Sequence, residues 1–253
     1  MIRELTATVK ENKNIAENIF SLTLALPEKV QVKGGQFLNL STGNGANLLK
    51  RPFGIMKAEG DSVTVCYQLK GEGTRTISGA EEGDKLNVLL PLGNGFDVPE
   101  NAKNIAVIGG GVGIFPLISV IREHKDKNFY SYIGFRNRAA ACLLDELEKS
   151  SKLTVVTDDG SMGAKGNAVS AYLADRDKVP ADLIIACGPP VMLKALKAQL
   201  KERGNKIPCL VSLEERMGCG IGACLVCVCK KSDGGNARVC KDGPVFDIEE
   251  VEL

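Results

Sequence analysis

The sequence predicts an antiparallel β-barrel, then a doubly wound parallel α/β unit, then a short segment held by cysteines. Three observations carry this expectation. From Ile2 to about Val98, short runs alternate apolar and polar residues between Pro, Gly and Asn clusters, at the spacing of barrel or sandwich strands. After Pro99 the runs become continuously apolar and are separated by stretches of helical period. Of nine cysteines, six (Cys209, Cys219, Cys224, Cys227, Cys229 and Cys240) fall in the last 45 of 253 residues.

Taken in order, Leu5–Val9, Ile19–Leu24 and Ser62–Tyr67 read as strands of a barrel of about six, spanning residues 1–99. Ile105–Ile108, Tyr130–Phe135, Leu153–Val156 and Leu183–Ala186 read as buried parallel strands, with helices over Cys142–Lys149 and Val191–Arg203. That unit spans residues 100–205. The uncharged run Asn104–Ile121 is long enough to suggest a membrane span. Gly109, Gly110, Gly111, Gly113 and Pro116 in its middle instead predict a strand, a tight turn and a helix start. Residues 206–253 are too few to build an ordinary core, so a metal centre is expected to hold them.

Composition narrows the function classes. An apolar fraction of 44% with 25% charged residues suits a chain that buries a core. A net charge of +1 provides no field to attract nucleic acid or anionic membranes. The N-terminal MIRELTATVKENKN is charged and lacks the apolar core of a secretory signal, so a reducing cytoplasm is the expected compartment. The one histidine, His124, lies among charges at an expected helix end and reads as a surface residue. Hydrolase chemistry lacks a base, the G-x-x-x-x-G-K-[ST] loop is absent, and no residue is assigned as a proton-transfer catalyst.

Cys219, Cys224 and Cys227 form C-x4-C-x2-C, and Cys240 follows after twelve residues. This is the plant-type [2Fe-2S] ligand spacing. Gly218, Gly220 and Gly222 would let backbone N–H groups approach sulfur, which helps set a reduction potential. A four-cysteine zinc site is the alternative, although zinc more often uses paired C-x2-C knuckles. Cys229, Cys209, Cys66 and Cys142 read as small buried apolar residues.

Gly109–Pro116 follows a strand and opens a helix, where backbone N–H groups and a helix N-terminus suit a pyrophosphate; packing alone is the other explanation. Cys187-Gly188-Pro189 stands at the carboxyl edge of a later strand. In the barrel, Arg51 could pair with a phosphate and the small residues around Gly73 could cradle one, or these are a surface arginine and a plain hairpin.

The order of barrel, Arg51-Pro52-Phe53-Gly54, Gly71-Glu72-Gly73-Thr74, the glycine turn, Cys187-Gly188-Pro189 and the C-terminal cysteines resembles the ferredoxin-reductase-like flavoproteins. More narrowly it is similar to the electron-transfer subunits of type B, NAD-dependent dihydroorotate dehydrogenases. The narrow markers are Pro91–Phe96 and Val239–Phe246. The resemblance implies FAD at Arg51, Pro52, Phe53, Gly54, Cys66, Tyr67, Gln68, Gly73 and Thr74. It implies NAD near Gly111, Gly113, Asp158 and Cys187, and a [2Fe-2S] cluster on Cys219, Cys224, Cys227 and Cys240. Gly54 departs from the family, which commonly has a serine or threonine facing the flavin N5; a backbone N–H is the expected substitute.

A nicotinamide exchanges hydride and a [2Fe-2S] cluster single electrons, so a flavin is expected between them. The resemblance implies a protein partner: an FMN-containing dihydroorotate dehydrogenase catalytic subunit, in a heterotetramer of two of each, oxidising dihydroorotate to orotate in pyrimidine biosynthesis. The alternatives are the small flavin and iron–sulfur subunit of an NADH-dependent ferredoxin–NADP oxidoreductase or sulfhydrogenase, and a zinc-stabilised binding module. Arg136 and Arg138 leave NAD against NADP open, since they either hold a 2′-phosphate or line the surface.

Overall fold

In the computed structural model, which describes residues 1–42 and 48–253, alternation of inward apolar side chains closes the first barrel. Its elements are β1 (Arg3–Ala16), β2 (Ile19–Ala25), β3 (Phe37–Leu40), β4 (Arg51–Glu59), β5 (Ser62–Gln68), the short helix α1 (Glu72–Ser78) and β6 (Lys85–Leu92). The six strands run in the order β1-β2-β5-β4-β3-β6, with β6 pairing antiparallel to β1 to complete the ring. Along β6, Leu86, Val88, Leu90 and Leu92 are buried and the residues between them are more open, the period of two that a strand with one core face requires.

The second unit comprises β7 (Asn104–Gly110), α2 (Ile114–Glu123), β8 (Asn128–Phe135), α3 (Leu144–Ser150), β9 (Lys152–Thr157), β10 (Ala164–Lys165), α4 (Ala168–Asp175), β11 (Leu183–Cys187), α5 (Pro190–Glu202) and β12 (Cys209–Ser212). Strand β7 is buried on both faces, as a central parallel strand should be. Ile105 and Val107 meet α2 and α3 on one face, and Ala106 and Ile108 meet α4 and α5 on the other. The sheet order is β10-β9-β8-β7-β11-β12, and its direction of growth reverses between β7 and β11. The uncharged run 104–121 is therefore strand, one 3-10 turn and helix, and no helix of the described residues is long and apolar enough to cross a membrane.

The C-terminal segment adds a small ladder of β13 (Val228–Lys230) and β14 (Asn236–Arg238), and β15 (Val245–Asp247). Strand β15 pairs antiparallel with β12 and becomes the seventh strand of the large sheet. The sheet thus takes in two strands from residues 206–253, because β12 pairs parallel with β11 and antiparallel with β15.

The two narrow sequence markers meet in space. After β6, Asn94 donates its backbone N–H to Gly243 O (2.7 Å) and its side-chain amide to Asp242 O (3.2 Å) and Val245 O (2.8 Å). Val245 N–H donates back to Asn94 Oδ1 (3.1 Å). A Cβ on Gly93 would overlap the Pro244 ring, which explains the glycine beside Asn94. Helix α2 ties barrel to sheet: Glu123 accepts from Gly34 N–H (2.6 Å), Ser119 from Gly35 N–H (2.9 Å), and Arg122 pairs with Glu59 and Glu146. Asn94→Ala is expected to lose the side-chain bonds and about 1–2 kcal/mol of stability, a value kept modest because Asn94 is open to water. Thermal unfolding should fall by roughly 2–6 °C.

Candidate functional site

At the place where the sheet order reverses, the carboxyl ends of β7 and β11 open a crevice, the general ligand position of open α/β sheets. The glycine turn after β7 and the Cys187-Gly188-Pro189 segment after β11 pack directly on one another. A Cβ on Gly113 would overlap the Cys187 carbonyl, and one on Gly110 would lie 2.7 Å from Met192 Sδ. Packing therefore accounts for Gly110 and Gly113. Gly111 differs: its φ is +53° and nothing stands within 4 Å of its missing side chain, so backbone there faces open space.

A cavity of about 290 Å³ lies where barrel, sheet and C-terminal segment meet. Of the residues expected at the flavin, Arg51, Pro52, Phe53, Gly54, Cys66, Tyr67, Gln68 and Thr74 line it, and so does Cys187, expected near the nicotinamide. Gly73 lies against Arg51, whose guanidinium occupies the space of a Cβ at 73. The Gly71–Thr74 segment opens α1 instead of forming a hairpin. The Thr74 hydroxyl accepts from the N–H groups of Lys70 (3.0 Å) and Gly71 (3.1 Å), which fixes this corner. Phe53 and Tyr67 pack with ring centroids 5.2 Å apart, and Tyr67 OH donates to Asn12 Oδ1 (3.1 Å). Beside Gly54 sits the Pro116 ring of α2, 3.4 Å from where a Cβ would stand.

Neither buried cysteine here is a reactive thiol. Burial pushes Cys66 up to about 12, and burial also raises Cys187 well above the usual range. They contribute packing and backbone. Asp158 is exposed at the end of β9, two strands from β7, and its N–H donates to Phe135 O (3.0 Å); it does not line the cavity. Arg136 and Arg138 are exposed after β8, and Arg138 donates from Nε to Ser161 O (3.1 Å). His124 directly follows α2, as expected, and is half-buried.

Sequence reasoning missed the wall formed by Val112, Phe115 and Pro116 and by Glu214, Glu215 and Met217. The first three follow a legible glycine turn; nothing in the local pattern of 214–217 marks a cavity wall, because β12 places them there.

The cysteine loop lies against the barrel. Cys227 and Cys240 are buried with Phe37 and Leu92, whereas Cys224 is exposed. Backbone N–H groups point at sulfur as the glycines predict: those of Ile221, Ala223 and Cys224 at Cys219 Sγ (3.3–3.4 Å), that of Gly222 at Cys240 Sγ (3.1 Å), and that of Cys240 at Cys227 Sγ (3.4 Å). Although desolvation opposes it, donation from Ile221, Cys224 and Ala223 holds the Cys219 thiol down to about 6. Backbone donation to sulfur joins the cysteines in two pairs: Cys219 and Cys224 donate to each other's sulfur, and Cys240 donates to that of Cys227. Among the described residues, no three His, Cys, Asp or Glu side chains are grouped to hold one metal ion. Two pairs fit a centre with two metal atoms better than the single tetrahedral zinc weighed above. Cys229, two residues on in β13, is buried and raised by desolvation, in keeping with a packing role.

Residues 214–252 match the family model of the iron–sulfur cluster binding domain of dihydroorotate dehydrogenase B. The whole chain is 39% identical to a relative in Caldanaerobacter subterraneus subsp. tengcongensis, covering 98% of both chains. It is 40% identical to one in Bacillus velezensis, covering 97% of this chain and 98% of that one. Both are named dihydroorotate dehydrogenase B (NAD(+)), electron transfer subunit. The chain belongs to this family. Among solved structures, an NADH-dependent reduced ferredoxin–NADP oxidoreductase is similar with a TM-score of 0.88 at 29% identity, covering 97% of this chain and 89% of that one.

Gly113→Ala is expected to force β11 and α2 apart at the crevice and to cost about 1–3 kcal/mol, measured by thermal unfolding.

Proposed function

We propose that the chain is the electron-transfer subunit of an NAD-linked dihydroorotate dehydrogenase, passing electrons between a partner's FMN and NAD+ and so supporting oxidation of dihydroorotate to orotate. The observation that carries this reading is that the junction cavity and the paired cysteine loop adjoin the same short strand, β3, through Phe37. Bound FAD exchanges hydride with a nicotinamide and single electrons with a [2Fe-2S] cluster, a conversion that neither of those two makes alone.

In this reading residues 1–99 carry the flavin. Arg51 would supply a planar donor for the pyrophosphate, with Gly73 and Thr74 beside it, and Pro52, Phe53, Gly54, Cys66, Tyr67 and Gln68 would hold the rest of the group. The cradle fits such a group: the Arg51 guanidinium lies against Gly73, which has no room for a side chain, and the cavity joins apolar walls such as Phe53, Val112 and Phe115 to polar groups such as Gln68 and Thr74. Residues 100–205 carry NAD, with Gly111 leaving backbone open toward a phosphate, Gly113 and Cys187 at the crevice between β7 and β11, and Asp158 farther along the same sheet edge, after β9. Residues 206–253 hold the cluster by Cys219, Cys224, Cys227 and Cys240, where converging N–H groups stabilise thiolate. No proton-transfer residue is needed, because substrate chemistry belongs to the partner. A thiolate centre suits the reducing cytoplasm.

Ile221, Leu225, Val226 and Val228 are exposed around the exposed Cys224. Large apolar side chains gathered beside an electron-transfer centre mark a protein contact, and we assign this surface to the FMN-containing catalytic subunit. The fold likeness to the NADH-dependent ferredoxin–NADP oxidoreductase supports a second reading as the small subunit of such an enzyme. The higher identity of the two dihydroorotate dehydrogenase relatives favours the first. Co-purification followed by a dihydroorotate and NAD+ assay decides: an FMN protein and orotate formation are expected, and a large ferredoxin-linked partner without that activity would overturn the assignment.

Cys224→Ser is expected to lose the iron–sulfur absorption and electron flow to the partner while NADH still bleaches the flavin; intact partner reduction would refute the order of carriers. Leu225→Asp with Val226→Asp should weaken complex formation at least tenfold by sedimentation or calorimetry, with flavin and iron content unchanged.

A further inference from the structure

Strand β3 is buried along its length, with Leu38 and Leu40 in the barrel interior and Phe37 on the outer face toward the cysteine loop. By the period of two, Asn39 shares that outer face. Its exposure is 1%, yet among the described residues neither Nδ2 nor Oδ1 has a hydrogen-bond partner. Buried amides are almost always satisfied, and an orphan in a native fold calls for a physical reason: a bound water or ion, or a redox or catalytic role.

The surroundings indicate which of these applies. Asn39 Nδ2 lies against the α-carbon of Gly220, so closely that a Cβ there would overlap it, and Leu92 Cδ1 closes the same spot. Gly220 has φ +75° and sits between Cys219 and Ile221, whose N–H donates to Cys219 Sγ. On its other side Asn39 pairs in register with Pro52, which lines the junction cavity. A polar side chain from the barrel is thus held, without a partner, between the cavity wall and the loop whose sulfurs already collect backbone donors.

We propose that Asn39 donates a hydrogen bond from the barrel to a sulfur of the iron–sulfur centre held by Cys219, Cys224, Cys227 and Cys240, and thereby raises its reduction potential. The proposal rests on the cluster assignment above. Reduction adds one electron and one negative charge to the centre, and an N–H aimed at sulfur stabilises the more negative state more than the oxidised one. Backbone donors of the loop come with the cysteine motif; this one comes from a different part of the chain and couples barrel closure to the potential of the centre.

The test is an EPR-monitored redox titration of the intact complex, wild type against Asn39→Leu, a change of similar volume without a donor. The expected result is a midpoint lowered by a tenfold or larger weakening of the reduction equilibrium, about 59 mV for one electron, with iron, sulfide and flavin contents unchanged. In parallel, wild-type protein carrying asparagine labelled with 15N in the side-chain amide should show a 15N coupling to the reduced centre by pulsed EPR. That measurement stands even if Asn39→Leu does not fold. An unchanged midpoint, or no 15N coupling, overturns the proposal while leaving the cluster assignment intact. Wild-type protein with no iron–sulfur signal at all would overturn both.

Discussion

Four hydrogen bonds between Asn94 and the stretch Asp242–Val245 fasten the C-terminal segment to the end of the barrel, and the candidate site depends on that attachment. Residues 213–244 leave the sheet at β12 and return to its edge at β15, so the excursion is pinned by the β12–β15 ladder and, at the start of β15, by Asn94. Without these anchors the segment has too little apolar surface to order itself. With them, Cys227 and Cys240 are set into a core that also contains Phe37 and Leu92 of the barrel. The cysteine loop is therefore built partly from the first unit's side chains.

Helix α2 makes the other connection. Its N-terminus issues from the glycine turn at the sheet crevice, its outer side docks on Gly34 and Gly35, and Pro116 meets Gly54 on the strand that carries Arg51. One helix thus sets the width of the cavity and aligns the crevice between β7 and β11 with it. Glycine at 54 suits this contact, since a bare backbone lies beside the Pro116 ring. The same absence of a side chain leaves the backbone as the nearest polar group at the position where the family commonly has a hydroxyl.

Much of this was legible in the sequence where the signal is local. Alternation in Leu86–Leu92 and continuous apolar character in Ile105–Ile108 report one-sided and two-sided burial directly, and C-x4-C-x2-C reports a wrapping loop. Gly71–Thr74 was harder, because a glycine-rich tetrapeptide opens a helix as readily as a hairpin; the Thr74 hydroxyl, bonded to two N–H groups, decided for α1. Glu214, Glu215 and Met217 were not legible as cavity wall, and β12 could not be assigned to the sheet from its four residues alone. Asp158 was placed by resemblance near the nicotinamide, and the fold sets it two strands from the glycine turn.

The sequence by itself determined the strand and helix periods, the four-cysteine spacing and the glycine turn between β7 and α2, since these depend on residues close along the chain. Tertiary structure alone decided that Pro91–Phe96 meets Val239–Phe246, that Gly113 packs on Cys187, and that Asn39 faces Gly220 without a partner. Each of those contacts joins residues dozens to well over a hundred positions apart. Their geometry follows from barrel closure and sheet order, which no local pattern encodes.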